Sequence, residues 1–358
     1  MWYLKIKYFQ LIKPLALLVL FGFTFNPLAA LAVPFIDKES ELSMGREADK
    51  EVINVYGLYQ NKPLQLYVNN IGQSLVSILA NKEFSKYFFK VVDSSDINAF
   101  ALPGGYVYVT RGLLATLNNE AELAGVLGHE IAHITQHHGA KQIIRTIGTQ
   151  LLAIGAAIAN PENAGGWLVV SSALFQKINL GYGRAAELES DSHGIYTAHT
   201  AGYDPRSMGK FLENLRQRAI MSGQAYHGFR ATHPETKERM VKVARLSESI
   251  INRSNKIGVM KRKEYLRQIQ GLKFGGRRDK NDSRNYKKEF IDLYEVQPGD
   301  TYSSIALKEL RDETKDMDIA VLNGQRLKNP LEVGRLIKLV RPGEYQKNII
   351  LELKPDTL

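Results

Sequence analysis

The chain has 358 residues, of which 44% are hydrophobic, and this is enough for one large core and a smaller module. It carries 47 Lys and Arg against 37 Asp and Glu, a formal net charge of +10. The sequence contains no cysteine, which excludes disulfides.

The first 32 residues have the pattern of a secretory signal peptide. Three lysines precede an apolar run over 15–25, and the alanines at 30 and 32 offer a small-residue cleavage site. The run is shorter than the roughly 20 residues of a membrane span, although an uncleaved anchor is the alternative. Cleavage would remove three lysines and no acids, leaving 44 minus 37, or +7. An exported chain without a basic-aromatic motif is not expected to bind nucleic acid, whereas anionic envelope lipid or wall polymer fits its charge.

Two short segments around a Pro-Gly-Gly turn at 103–105 are rich in strand-forming residues. Phe100–Leu102 and Tyr106–Thr110 are predicted to pair as strands. If the first lies at a sheet edge, it can hold an extended peptide by main-chain pairing. The candidate substrate-binding residues are Ala99, Phe100, Ala101 and Leu102. The alternative is a structural hairpin that only supports the helix after it.

The sequence His-Glu-Ile-Ala-His at 129–133 is the H-E-x-x-H arrangement of a zinc hydrolase helix. Four residues make roughly one helical turn, so His129 and His133 can reach one tetrahedral cation. The carboxylate of Glu130 lies beside them and can take a proton from water that zinc has made acidic. The pattern predicts a metal site with Glu130 as its general base.

The flanking residues predict that this motif lies inside a helix. Asn119 with Glu122 resembles an N-terminal capping arrangement, and Gly139 is the predicted end. One face of this helix is apolar and is expected to pack against the core, because it carries Leu123, Leu127, Ile131 and Ile134.

The zinc helix does not supply a third metal ligand. A metzincin would have glycine at 136 and histidine at 139, where this chain has Gln136 and Gly139. His137 lies about 12 Å along the helix axis from His129, too far to share a metal with ligand bonds of about 2.1 Å. His137 and His138 are therefore expected to support the ligands or to lie at the surface.

An acidic segment over 183–191 is the better source of a third ligand. In a helix, Glu187 and Asp191 share one face. Glu187 could then bind zinc while Asp191 accepts the outer N–H of a ligand histidine. The alternative is a solvated acidic helix, and the spacing alone does not decide between the two.

Five blocks of this chain, in this order, resemble the BepA/HtpX-type zinc metallopeptidases, particularly their periplasmic BepA-like branch. The blocks are residues 98–110, the zinc helix, 184–191, 232–234 with Arg239, and 265–275. The resemblance implies an α+β fold, in which a mostly helical zincin domain of the gluzincin type with a small sheet spans 33–274. It also implies one Zn²⁺ per chain, held by His129, His133 and Glu187 and supported by Asp191.

His233 has three possible roles. Pro234 biases its backbone toward an extended conformation, and the resemblance implies that this segment approaches the active site. His233 could donate to the developing oxyanion, or it could take the open position of zinc and keep the enzyme latent. It could also merely cap the next helix. Arg239 is predicted to assist catalysis.

Beyond residue 274 the sequence changes character. A solvated basic linker is predicted over 275–290, since six cationic residues oppose two acidic ones between 275 and 288. Residues 291–343 resemble a LysM domain, a βααβ module that binds N-acetylglucosamine-containing polymers, so peptidoglycan is a candidate partner. Residues 344–358 are left as a C-terminal tail.

Together these features predict a zinc-dependent endopeptidase of the bacterial cell envelope. The resemblance implies a periplasmic location, polypeptide substrates, quality control of misassembled outer-membrane proteins, and the outer-membrane assembly machinery as a partner. The alternative is a periplasmic chaperone or cell-wall-binding scaffold with a largely latent protease site.

Overall fold

The computed structural model of the chain describes residues 37–147, 181–222, 228–234 and 237–346. The predicted signal peptide over 1–32 lies outside these residues. Within the described part of the chain, no helix has both the length and the apolar character needed to cross a membrane.

Helices make up most of the described chain up to residue 269. The first five are α1 (Lys38–Val55), α2 (Lys62–Ser77), α3 (Arg111–Thr116), α4 (Glu120–Thr135) and α5 (His138–Ile147). After them come α6 (Arg184–Thr200), α7 (Ser207–Ser222), α8 (Phe229–Thr232), α9 (Lys237–Ser254) and α10 (Arg262–Ile269). Most of them bury a face in one hydrophobic core that they share with the first sheet, in line with the α+β prediction for this part of the chain.

A three-stranded sheet lies beside the zinc helix α4. Its strands are β1 (Phe88–Val92), β2 (Ala99–Leu102) and β3 (Tyr106–Thr110), in the order β1-β3-β2. Strand β2 pairs antiparallel with β3, which confirms the predicted strand pair, and β2 is an edge strand. The turn depends on Gly104 and Gly105, since both have positive φ and a Cβ at Gly105 would lie 2.5 Å from the Lys86 carbonyl oxygen.

Helix α4 begins as the sequence predicts but ends earlier. The Asn119 side chain accepts a hydrogen bond from the Glu122 backbone N–H at 2.9 Å, which caps the helix. The prediction of an end at Gly139 is wrong, because the helix stops at Thr135. His137 has a φ of 53° in the left-handed region, which turns the chain before α5 starts at His138.

Helices α4 and α6 touch through two glycines. A Cβ on Gly194 would lie 2.6 Å from the His129 backbone nitrogen, and a Cβ on Gly128 would lie 2.8 Å from the Gly194 carbonyl oxygen. Real Cβ atoms do not come this close to backbone, so the two helices approach more closely than any side chain at these positions would allow. This contact brings the two ligand-bearing helices together beside His129.

The C-terminal residues form a second sheet with short helices. Its strands are β4 (Lys273–Phe274), β5 (Glu289–Glu295) and β6 (Leu336–Pro342), paired antiparallel in that order. Between β5 and β6 lie α11 (Tyr302–Ile305), a π-helical turn (Ala306–Leu310), a 3₁₀ turn (Glu313–Lys315) and α12 (Asp316–Leu322). The order strand, helix, helix, strand is therefore observed, while the LysM assignment stays a prediction.

The predicted linker over 275–290 makes specific contacts with the residues before it. Arg111 donates to the Gly275 carbonyl at 2.6 Å, and the Ser95 hydroxyl donates to the Gly276 carbonyl at 2.7 Å. The Lys280 backbone N–H donates to the Val55 carbonyl at 2.8 Å. Sequence reasoning treated this segment as solvated because of its charge, and it missed these hydrogen bonds.

Candidate metal centre

Three parts of the chain bring four potential metal ligands to one point. Helix α4 carries His129 and His133 one turn apart, and α6 carries Glu187. The residue after α8 supplies His233. All four side chains are buried, and their donor atoms lie within 4.8 Å of one another.

The separations between the donor atoms fit a single small cation. The two Nε2 atoms of His129 and His133 are 3.0 Å apart, and they lie 3.4 and 3.5 Å from the Glu187 carboxylate. His233 Nδ1 is 3.2 Å from His129 Nε2 and 3.1 Å from Glu187 Oε1. A tetrahedral ion with bonds of about 2.1 Å would set its ligand atoms about 3.4 Å apart, so three nitrogens and one carboxylate are suitably placed for such a metal.

Both zinc-helix histidines have a partner on their outer nitrogen. His129 Nδ1 lies 3.0 Å from Asp191 Oδ1, the contact that the sequence predicted for Asp191. His133 Nδ1 lies 2.9 Å from His138 Nδ1, and His138 Nε2 lies 3.3 Å from Glu189. Such outer contacts fix the orientation of each ring and leave the inner nitrogen for the metal.

Arg239 is fully buried and contacts two carboxylates of the centre. Its Nε and one terminal nitrogen each donate to Asp191 at 2.8 Å, and its other terminal nitrogen lies 2.9 Å from Glu187. It also donates to the His233 carbonyl at 3.2 Å. These contacts are those of a residue that positions Asp191, Glu187 and His233, and the assignment of Arg239 as catalytic stays a prediction.

Glu130 faces the same centre from α4. Both of its carboxylate oxygens are buried, and neither accepts a hydrogen bond from the described residues. His233 Nε2 lies 3.4 Å from Glu130 Oε1. Burial raises the pKa of the Glu130 carboxyl above its usual value. A carboxyl in this setting is a suitable proton acceptor and carrier.

Burial and neighbouring charges shift the pKa values of His129 and His133 in opposite directions. Burial alone would lower the pKa of His129, but hydrogen bonds and charges from Asp191 and Glu187 outweigh it and raise that pKa to about 9. Burial, together with the positive charge of His129, lowers the pKa of His133 well below its ordinary value. The pKa of Glu187 is depressed because His233 and His129 outweigh the effect of its burial.

We expect the affinity for a divalent metal to increase with pH up to about pH 9. Below its pKa of about 9, the metal-free His129 holds a proton that a metal must displace, so affinity should rise about tenfold per pH unit until that pKa is passed. Isothermal titration calorimetry at about pH 8, in two buffers of different ionisation enthalpy, measures the released proton. The His199→Ala variant should release the same number of protons, because His199 lies outside the centre. If the wild type releases no proton on binding the metal, the prediction is wrong.

The open edge of β2 is covered by the segment that carries His233. The Ala99 carbonyl oxygen lies 3.4 Å from His233 Nε2, and the Phe229 backbone N–H donates to the Ile97 carbonyl at 2.5 Å. The four predicted substrate-binding residues, Ala99 to Leu102, are all buried. Phe100 stacks on Tyr108 with ring centroids 4.9 Å apart, so its side chain packs within the protein.

Sequence reasoning missed Tyr182 and did not place His138. The Tyr182 ring stacks on His133 with centroids 4.1 Å apart, and no motif pointed to it. His137, by contrast, turns away and contacts Glu41 at 2.7 Å. The position of His138 next to the zinc helix indicated that it could support a ligand. It contacts His133 because α4 ends at Thr135 and the chain turns at His137.

Comparison with known proteins decides the family. Residues 63–247, about half of the chain, match the model for peptidase family M48. The chain belongs to this family. M48 peptidases depend on a metal, and the buried cluster of His129, His133 and Glu187 provides a site for it.

Individual relatives of this M48 chain are named as proteases. It is 30% identical over 211 residues to the beta-barrel assembly-enhancing protease of Escherichia coli K12, covering 56% of this chain and 42% of the relative. It is 34% identical over 186 residues to a putative protein of that name from Vibrio cholerae, covering 49% and 38%. The mitochondrial metalloendopeptidase OMA1 of Schizosaccharomyces pombe is 30% identical over 216 residues, covering 58% and 61%.

The aligned part of the chain thus spans about two fifths of the length of these bacterial relatives. None of the three names supports the alternative of a chaperone or scaffold.

Proposed function

We propose that the chain is a zinc-dependent endopeptidase and that the described arrangement is its closed state. The observation that supports this most directly is the set of four buried donor atoms at tetrahedral spacing, with the Glu130 carboxylate beside them. Three imidazole nitrogens and one carboxylate are a ligand set that suits zinc.

In this proposal, His129, His133 and Glu187 hold the metal in the active enzyme. Zinc bound there supplies Lewis acidity to the scissile carbonyl and to water. Asp191 holds the His129 ring in place at 3.0 Å, and Arg239 balances the negative charge of Asp191 and Glu187. These contacts keep the donor atoms at fixed positions before a substrate arrives.

Glu130 moves the proton. Its carboxylate takes a proton from the attacking water and later passes it to the leaving amine nitrogen of the peptide. Because burial raises the pKa of its carboxyl, Glu130 can hold this proton between the two steps. Among the residues that the structure describes, none donates a hydrogen bond to its oxygens, which leaves them available for water and substrate.

We propose that an extended polypeptide binds along the free edge of β2. The Asn98 carbonyl accepts the Thr110 N–H, so in this antiparallel pair the main-chain groups of Ala99 and Ala101 point to the open side. A substrate that pairs with Ala99 and Ala101 would be held by its backbone, with little demand on its side chains. Phe100 and Leu102 would then support the strand without touching the substrate.

The closed state follows from the position of His233. Its Nδ1 lies among the other three donors, where a fourth protein ligand would occupy the coordination position that a catalytic zinc site leaves open. Its Nε2 lies near the Ala99 carbonyl that the substrate would use. An oxyanion donor would instead lie beside the reacting carbonyl, so these distances favour the latency role of His233.

We expect His233→Ala to raise the rate of cleavage of unfolded casein by about tenfold, because it frees both the metal and the β2 edge. The measurement is release of acid-soluble peptide by the purified chain, with and without a chelator. Activity of both forms should disappear with the chelator and return with added zinc.

His199→Ala is the matched control, since His199 contacts the hydroxyl of Ser254 and not the centre. A fall in cleavage for His233→Ala would reject latency and return His233 to the oxyanion role. If neither the wild type nor His233→Ala cleaves casein in the presence of zinc, the endopeptidase proposal itself is wrong.

We further propose that the protein acts in the periplasm on misassembled envelope proteins. The support is the name of its bacterial relatives, beta-barrel assembly-enhancing protease, together with the signal-like sequence at residues 1–32. The observed order of strands and helices over 289–342 supports the proposal of a LysM-like module that binds peptidoglycan.

A further inference from the structure

A polar cleft lies far from the metal centre, where the start of α4 meets α7 and the C-terminal module. Its volume is about 530 Å³, within the range of small-ligand sites, roughly 300–1,000 Å³. Asn119, on its wall, precedes His129 by ten residues, which corresponds to about 15 Å along the helix. The cleft is therefore separate from the proposed cleavage site.

Two buried amides line this cleft without their hydrogen-bond partners. Asn214 is only 4% exposed, and neither its Oδ1 nor its Nδ2 has a partner among the described residues. Asn118 is also 4% exposed, and its Oδ1 has no partner there. A Cβ at Gly324 would lie 3.1 Å from Asn118 Nδ2 and 3.6 Å from Asn214 Nδ2. Both side-chain amides therefore lie beside the backbone of Gly324.

A buried polar group without a partner costs stability because it has lost its hydrogen bonds to water, and Asn214 has two such atoms. A ligand that offers one acceptor and one donor side by side would remove this cost. The N–H and C=O groups of a peptide backbone have this complementarity to an asparagine side chain.

The cleft also has an excess of positive charge. Its cationic side chains are Lys210, Arg262, Arg326, Lys328 and Arg335, against the two carboxylates of Glu122 and Glu213. Both acids are engaged: Glu122 accepts from the Asn118 backbone N–H at 2.8 Å, and Glu213 lies 3.6 Å from Arg326.

Arg262 is only partly hydrogen-bonded by the described residues. Its Nε has no hydrogen-bond partner among them. Burial, with the nearby Arg335, lowers the pKa of the Arg262 guanidinium to about 10. A negatively charged ligand would relieve both effects.

We propose that this cleft binds an acidic polypeptide segment, with Asn214 pairing to a backbone amide and the surrounding cations neutralising carboxylates. Among the described residues no aromatic ring lines the cleft, so a sugar would find no ring to stack on. The inference goes beyond the proposed function, because binding is expected whether or not the metal centre cleaves.

The test is fluorescence anisotropy with the full chain and a labelled octaglutamate peptide, compared with octaglutamine. Octaglutamate should bind at least tenfold more tightly than octaglutamine. Asn214→Leu should weaken octaglutamate binding at least tenfold, while the thermal midpoint of the free protein stays the same or rises, because an unsatisfied buried amide has been removed.

A charge variant gives a second, independent measurement. Lys210→Gln removes an exposed cation from the cleft and should weaken binding, whereas Lys263→Gln removes an exposed cation from α10 outside the cleft and should not. Equal affinity for the two peptides, or wild-type affinity in both Asn214→Leu and Lys210→Gln, would overturn the proposal. Binding of an oligogalacturonate of equal charge with no binding of octaglutamate would also overturn it, and would assign the cleft to anionic glycans.

Discussion

Replacing Glu130 with glutamine is expected to slow the cleavage of unfolded casein by about 10²–10⁴-fold, the usual contribution of a general base. The amide has nearly the same shape but cannot accept the proton of water. Glu130 is not among the four clustered ligands, so metal content should not change. The measurement pairs casein hydrolysis with metal analysis of the same purified sample.

Glu47→Gln is a suitable control for this loss, because Glu47 lies on α1 and its carboxylate pairs with the exposed Lys50. Its activity should equal that of the wild type. Cleavage by Glu130→Gln at more than a third of the wild-type rate would show that Glu130 is not the base. Normal envelope function of cells that carry only Glu130→Gln would favour the scaffold alternative instead.

Lys338→Met is expected to lower the free energy of unfolding by about 1–3 kcal/mol, the cost of leaving buried hydrogen-bonding groups without a partner. Lys338 is fully buried on β6, and its Nζ donates to the carbonyls of Ala115, Thr116 and Leu117 at 2.8, 3.2 and 2.8 Å. Methionine keeps the length of the side chain but leaves three carbonyls at the end of α3 without this donor. Urea denaturation followed by circular dichroism measures the change.

The matched substitution Lys315→Met removes an exposed cation of the same module, whose partner is Asp318. It should change stability by less than about 0.5 kcal/mol. If Lys338→Met changes stability by as little as Lys315→Met, this lysine does not hold the C-terminal module to the peptidase part. Since residues 115–117 lead directly into the N-cap of α4, the expected loss would extend to the zinc helix.

The sequence was most informative where its signals are local. The zinc helix, its N-cap at Asn119 and the strands around 103–105 follow from short-range spacing, because helix and strand periodicity act within a few residues. The predicted end of α4 was wrong because Gly139 is not the residue that terminates the helix. The chain instead turns at His137, which adopts a left-handed backbone conformation. A histidine in the sequence does not predict this conformation.

Contacts between distant parts of the chain were beyond such reasoning. Spacing left Glu187 open as a ligand, and only a family resemblance favoured it. The approach of Lys338 to residues 115–117 joins positions more than 200 residues apart, and a lysine normally indicates a surface position. The lack of hydrogen-bond partners for the Asn214 amide among the described residues is likewise evident only from the three-dimensional structure.

The glycine contact between α4 and α6 means that main-chain atoms, and not side chains, set the distance between the two halves of the ligand cluster. Smaller hydrophobic residues around these helices would leave cavities in the interior without letting the two backbones come any closer. The histidine pair and the glutamate therefore cannot come closer together through repacking elsewhere in the core, because the main chains of the two helices already touch at Gly128 and Gly194.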